Sequence, residues 1–108
     1  MSFLRIVDRA RFDAAKMQKC NLFASERFLL DVYALEAGQE QKPHAHASAD
    51  KVYVAIEGAV RVRIGAEERA LGPGEAAHSA AGIEHALSNP GPARALVLVF
   101  MTPPPEGV

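Results

Sequence analysis

The feature that most constrains the fold is a series of short strand-forming segments, each closed by a glycine or proline turn. The alternation is clearest where Val60, Val62 and Ile64 are separated by Arg61 and Arg63, because apolar and charged side chains then point to opposite faces of a half-buried strand. No stretch has the periodicity of a long helix, so the chain is predicted to be all-β, folded as a barrel or jelly roll. The predicted strands are residues 27–35, 51–56, 59–64, 67–71, 75–80, 83–88 and 93–101.

The length of 108 residues predicts a single domain spanning residues 1–108. Residues 1–26 form an N-terminal arm whose structure is left open by propensity alone. Within it, residues 3–7 could be a short strand, and residues 12–18 could be one helical turn or another extended piece. Three consecutive prolines predict a polyproline-like tail at residues 102–108 that lies on the surface.

Charge and cysteine content exclude several classes of partner. The net charge of −1 predicts no nucleic-acid binding, and Arg61 and Arg63 are expected to pair with Glu67 and Glu68 across the following turn. No apolar run is long enough to cross a bilayer, so no membrane role is predicted. The single Cys20 cannot form an internal disulfide, which favours a reduced, cytoplasmic protein.

The candidate chemistry lies in the sequence His44-Ala45-His46. We expect residues 39–43 to be a connection and the histidine pair to open the next strand, where side chains two residues apart share a face. Such a pair can hold one metal ion, and His85 is a third imidazole in a later segment. The alternative is a pair of exposed histidines in a loop.

The histidines and the surrounding glycines resemble the two motifs of the cupin superfamily. The first motif is Gly, five residues, His-x-His, four residues, Glu, six residues, Gly, and the second is Gly, five residues, Pro-x-Gly, two residues, His, three residues, Asn. The positions of this chain that fall on the motifs are Gly38, His44, His46, Lys51, Gly58, Gly74, Ala80, Gly82, His85 and Asn89.

This resemblance covers roughly residues 28–101 and implies a single cupin barrel, that is, a double-stranded β-helix of the jelly-roll type. It also implies that His44, His46 and His85 hold a divalent transition metal, which could be iron, nickel, zinc, manganese or copper. Enzymes of this kind include oxygenases and isomerases, so metal-dependent catalysis is one expectation. The alternative is a non-catalytic cupin that binds or senses a small ligand, with or without metal.

Two motif positions depart from the pattern, because Ala80 stands where the family has proline and Lys51 stands where it has its glutamate ligand. A protonated ammonium has no lone pair and cannot coordinate a metal. Asp50 points to the opposite face unless a bulge re-aims it. His78 could supply a fourth ligand or contact the substrate if it faces inward, whereas an outward His78 would do neither.

The same substitution predicts a pocket suited to a small anionic ligand, since Lys51 beside a dication would leave an excess of positive charge. Alternatively, Lys51 could pair with Asp50 or Glu57, lose its proton, or extend to the barrel mouth and stay in water. Tyr53 shares the strand phase of Lys51, so its hydroxyl is expected either at the substrate site or in the packed core.

A homodimer is also expected. The chain is short, and the predicted strand at residues 51–56 is apolar on both faces, so its second face calls for cover by another sheet of the same chain or by a partner subunit.

Overall fold

The computed structural model describes residues 2–105 as two antiparallel β-sheets and one short helix, which confirms the predicted all-β jelly roll. Within this range no helix has the length and apolar character needed to span a membrane. The elements are α1 (Ile6–Arg9), β1 (Gln18–Ala24), β2 (Leu29–Leu35), β3 (Glu40–His44), β4 (Asp50–Glu57), β5 (Val60–Ile64), β6 (Glu67–Leu71), β7 (Ala76–Ser79), β8 (His85–Ser88) and β9 (Ala95–Thr102).

The five-stranded sheet has the order β1-β2-β9-β4-β7, and the four-stranded sheet has the order β3-β8-β5-β6. Their inner faces meet in the main core, where alternate residues of each strand point inward. Tyr33 and Tyr53 come from the five-stranded sheet, while Val62 and Leu87 face them from the other sheet, and all four are almost fully buried. The functional side chains lie at one end of this core.

The N-terminal arm differs from the two forms considered for it. Residues 6–9 make a single helical turn, so a strand at residues 3–7 is wrong, and residues 12–17 take no regular structure before β1 begins. Leu4, Ile6 and Phe12 pack on the outer face of the five-stranded sheet, where burial of apolar area outweighs their strand propensity. The arm therefore contributes both an edge strand and a cover for half of that face.

The connection predicted at residues 39–43 is corrected to a strand. Glu40 and Gln41 of β3 pair with β8, and an irregularity follows before His44 pairs with His85. The next strand begins at Asp50, so His44 ends one strand and His46 lies in the loop that follows it.

Both arginines of β5 form ion pairs with glutamates, but only Arg61 pairs with one of the two glutamates predicted for it. Arg61 pairs with Glu68 at 3.1 Å, but Arg63 pairs with Glu84 at 2.9 Å. Glu67 pairs within its own strand. These pairs are solvent-exposed and each is worth roughly 1 kcal/mol or less.

Candidate metal centre

Three imidazoles converge where β3 and β8 meet. His44 and His85 lie opposite each other in the strand ladder, and the nitrogens of His44, His46 and His85 that could hold a metal all lie within 4.8 Å of one another. The loop after β3 is fixed by Gly82, whose N–H donates to the carbonyl of His46 at 2.8 Å. Gly82 has a φ of +83°, a conformation that favours glycine, so the motif glycine has a direct role in placing His46.

The backbone fixes which nitrogen of two rings carries the hydrogen. His44 Nδ1 is 2.9 Å from the carbonyl oxygen of Lys42, and His85 Nδ1 is 3.0 Å from that of Ile83. Because a carbonyl oxygen only accepts hydrogen bonds, each Nδ1 is the donor and each Nε2 of a neutral ring keeps its lone pair. These two Nε2 atoms face each other at 3.1 Å.

Two lone pairs at this distance repel each other unless a proton or a metal ion lies between them. Burial lowers the pKa of all three imidazoles, and that of His85 falls to about 4, so a shared proton is disfavoured at neutral pH. Two imidazoles bound at about 2.1 Å to one zinc ion have nitrogens roughly 3.0 to 3.4 Å apart, so the observed separation fits a shared divalent metal.

Lys51 lies inside the barrel beside this cluster, with only 1% of its surface exposed. Its Nζ donates to Gln41 Oε1 at 3.1 Å and is 3.5 Å from His44 Nε2. The rings of Tyr33 and Tyr53 lie 5.2 and 5.0 Å from the same Nζ. The ammonium therefore does not reach bulk water, and burial lowers the pKa of Lys51 to about 7.

Gln41 is a site residue that sequence reasoning missed, because it fell in a segment interpreted as a connection. Its buried Oε1 accepts hydrogen bonds from both Lys51 Nζ and the hydroxyl of Tyr53, each at 3.1 Å. Tyr53 is completely buried, and burial raises the pKa of its phenol above the ordinary range. The Tyr53 hydroxyl therefore bonds Gln41 in this structure, and it helps to position Lys51 through this shared partner.

His78 and Asp50 do not join the three imidazoles, which corrects the idea that either one replaces the missing ligand. They pair with each other at 3.1 Å, and both side chains are about half exposed. His78 lies opposite Val52 on the outer face of the sheet, because β4 and β7 are regular here and no bulge re-aims either residue. Asp50 also accepts the backbone N–H of Ala81 at 3.0 Å. The pair therefore braces the loop that precedes His85.

A cavity of about 300 Å³, hereafter the site cavity, adjoins the imidazoles. Its charged lining consists of Lys19, Lys42, Lys51 and a single carboxylate, Asp31. Pro105 borders it and is buried, so the proline tail turns inward at this point instead of lying wholly on the surface. Residues 106–108 of the predicted tail lie outside the described residues.

Comparison with known proteins gives a family match over most of the chain. A family model described as a cupin domain matches residues 31–101. The crystal structure of TT1209 from Thermus thermophilus is 47% identical, with 97% of this chain and 100% of that chain covered and a TM-score of 0.94. A search of the curated proteins gives no match.

More distant structures share the fold alone. KdgF from Halomonas sp. is 21% identical, with 98% of this chain and 96% of that chain covered and a TM-score of 0.85. A predicted oxalate decarboxylase from Thermotoga maritima is 15% identical, with 82% of this chain and 81% of that chain covered and a TM-score of 0.76.

Proposed function

The chain belongs to the cupin family, and on that basis we propose that it binds a divalent transition metal through His44, His46 and His85 and takes a small anionic ligand in the site cavity. The observation that carries the metal proposal is the 3.1 Å approach of two Nε2 lone pairs whose tautomers are set by backbone carbonyls. Iron, nickel, zinc, manganese and copper all accept imidazole ligands, so the donor set is compatible with each.

The anionic ligand is supported by the charges around the site cavity. Three lysines line it against one carboxylate, and a dication at the imidazoles would add about two further positive charges. Neither Asp50 nor Glu57 pairs with Lys51, and Asp31 acts on the Lys51 charge only at a distance, without an ion pair among residues 2–105. An incoming carboxylate would supply that missing partner.

Two types of function use this arrangement. A metal held by three imidazoles would supply a Lewis-acid or redox centre with open coordination positions, as an oxygenase or isomerase requires. The second candidate is a binding or sensor cupin without catalysis, in which Lys51 serves only to bind the anion. The Lys51 amine, whose pKa is lowered to about 7 by burial, would serve the first candidate as a general base. Turnover assays of a bound carboxylate distinguish the two.

The ligand proposal predicts that Lys51→Glu abolishes anion binding and tightens metal binding. The variant removes the cationic donor and restores the carboxylate of the family motif. We expect acetate affinity to fall by at least about tenfold, which corresponds to the loss of one charge-assisted hydrogen bond. Calorimetric titration with acetate and its neutral analogue acetamide measures the effect.

Lys16→Glu is the matched control, since Lys16 is exposed and outside the lining of the site cavity. It changes the net charge by the same amount and should leave acetate binding intact. Equal binding of acetate and acetamide to the native protein would contradict the anion pocket.

We also propose that the protein is a homodimer formed through the outer face of the five-stranded sheet. Phe100 is 37% exposed there, beside half-buried Leu30 and Val52, to which it is directly paired across the sheet. This part of the face is covered less completely than the part beneath the arm, since Phe28 packs on the Phe100 ring at 5.8 Å and still leaves Phe100 37% exposed. A second copy would bury it in an isologous interface.

The dimer proposal predicts that Phe100→Glu halves the mass in solution. The native protein should have twice the chain mass of 11.6 kDa at micromolar concentration, as measured by light scattering after size exclusion. A charge in the centre of the apolar face is incompatible with its burial. Ile83→Glu, at an exposed apolar residue of the other sheet's loops, should stay dimeric. A monomeric native protein would refute the proposal.

A further inference from the structure

Asp31 is a buried carboxylate that the proposed function does not yet use. It lies on the inner face of β2, two residues before Tyr33, and only 7% of its surface is exposed. Its Oδ1 accepts a hydrogen bond from Asn21 Nδ2 at 3.0 Å, the one hydrogen bond of this side chain among the described residues. The residue lines the site cavity and also a neighbouring cavity of about 440 Å³.

The second oxygen of Asp31 is accessible from the cavity. Among the described residues no fully buried side-chain nitrogen or oxygen lacks a hydrogen-bond partner, so an Asp31 oxygen without one is not sealed in the interior. Within residues 2–105 no ion pair involves Asp31, and its second oxygen accepts no hydrogen bond from another side chain. That oxygen is therefore available to a donor group on a molecule in the cavity.

The charges of the cavity decide which kind of donor fits. An ammonium group would pair with Asp31 but would also face Lys19, Lys42 and Lys51, and the proposed metal as well. A hydroxyl donates a hydrogen bond without adding positive charge. The ligand's own carboxylate belongs beside Lys51 and the imidazoles, because it would repel Asp31.

We infer that Asp31 is a specificity-determining residue that accepts a hydrogen bond from a ligand hydroxyl, so that the site prefers hydroxy carboxylates to plain carboxylates. This inference rests on the proposed anion pocket and adds the second recognition point. A cavity of about 300 Å³ accommodates acids of several carbons.

Butyrate and its 2-, 3- and 4-hydroxy and amino derivatives test the inference, because they share one skeleton and differ only in the donor and its position. We expect at least one hydroxybutyrate to bind the native protein about tenfold or more tightly than butyrate, the effect of one hydrogen bond to a charged acceptor. The aminobutyrates should bind no better than butyrate. Isothermal titration calorimetry on the protein as purified measures each dissociation constant.

Asp31→Asn should remove this preference and bind butyrate at least as tightly as the native protein does, because the amide keeps an oxygen for Asn21 and loses the charge that repels the ligand's carboxylate. The matched control is Asp50→Asn, at an exposed carboxylate outside the cavity, which should retain the preference. A preference that survives in Asp31→Asn would assign the hydroxyl to another group, for example the metal, and overturn the role of Asp31.

The outcomes separate the two proposals. Binding of butyrate with no gain from any hydroxyl would overturn the inference and leave the anion pocket standing. Failure of all the acids to bind would overturn both. The comparison among acids uses the native protein alone, so it tests the preference for hydroxy acids even if Asp31→Asn does not fold. Asp31→Ser is then the second variant that tests the role of Asp31.

Discussion

Replacing His85 with alanine is expected to lower metal affinity by at least about 100-fold, because loss of a direct ligand costs no less than loss of the groups that orient it. His85, a proposed ligand, has two partners at its Nδ1. The carbonyl oxygen of Ile83 can only accept a hydrogen bond, and Ser79 Oγ, 3.0 Å away, donates its own hydrogen to that same carbonyl. Elemental analysis of protein purified without chelator should find about one metal per native chain and little in the variant. His46→Ala should show the same loss.

His78→Ala is the matched control for this experiment. It removes one histidine, as the test variants do, but from the exposed pair with Asp50. Its metal content should equal that of the native protein. Stoichiometric metal that persists in both His85→Ala and His46→Ala would show that the three imidazoles are not the ligands.

The second large effect concerns stability. Lys51→Met is expected to raise the free energy of unfolding of chelator-treated protein by about 2 to 4 kcal/mol at neutral pH, because it removes a buried ammonium and keeps the volume. The upper value follows from the fall in the pKa of Lys51 from 10.5 to about 7. The loss of the hydrogen bond from Nζ to Gln41 reduces the gain by about 1 kcal/mol.

The pH dependence of this gain has a definite sign. Between about pH 7 and pH 10.5 the Lys51 amine is largely neutral in the folded chain and still protonated in the unfolded chain. The unfolded state then binds more protons, so the lysine's contribution to native stability rises with pH in this window. The advantage of Lys51→Met should therefore be greatest near pH 7 and shrink towards pH 10.5.

Urea unfolding of both proteins across this window measures the difference, and other titrating groups cancel in it. For Lys16→Met, at an exposed lysine, the plot of unfolding free energy against pH should run parallel to that of the native protein. If the stability curve of Lys51→Met instead runs parallel to that of the native protein, the Lys51 amine is hydrated and carries its ordinary charge.

The sequence was sufficient for the parts of this structure that depend on local pattern. Alternation at Val60 and Val62 marks β5, and motif spacing brings His44 close to His85 although they are far apart in the chain. The resemblance carried that second prediction, since periodicity alone does not say which strands are neighbours.

The residues that sequence reasoning missed depend on register and on which strand face is inside. In β2, Asp31 and Tyr33 share the inner face, while Val32 and Ala34 are equally buried beneath the N-terminal arm. Both faces of β2 are thus apolar or buried, so an alternation of apolar and polar residues cannot show which face points into the barrel. Gln41 gave no signal because its role requires the pairing of β3 with β8.

The candidate metal ligands and the residues proposed to contact the anionic ligand lie on different sheets. The imidazoles belong to the four-stranded sheet and its loops, whereas Lys51 and Asp31 belong to the five-stranded sheet that faces it. Selection can therefore change ligand preference through one sheet while the proposed metal ligands on the other are kept. For engineering, libraries confined to inward positions of β2 would sample new ligands and leave the three imidazoles in place, whereas changes at Lys51 of β4, 3.5 Å from His44 Nε2, would also alter the proposed centre.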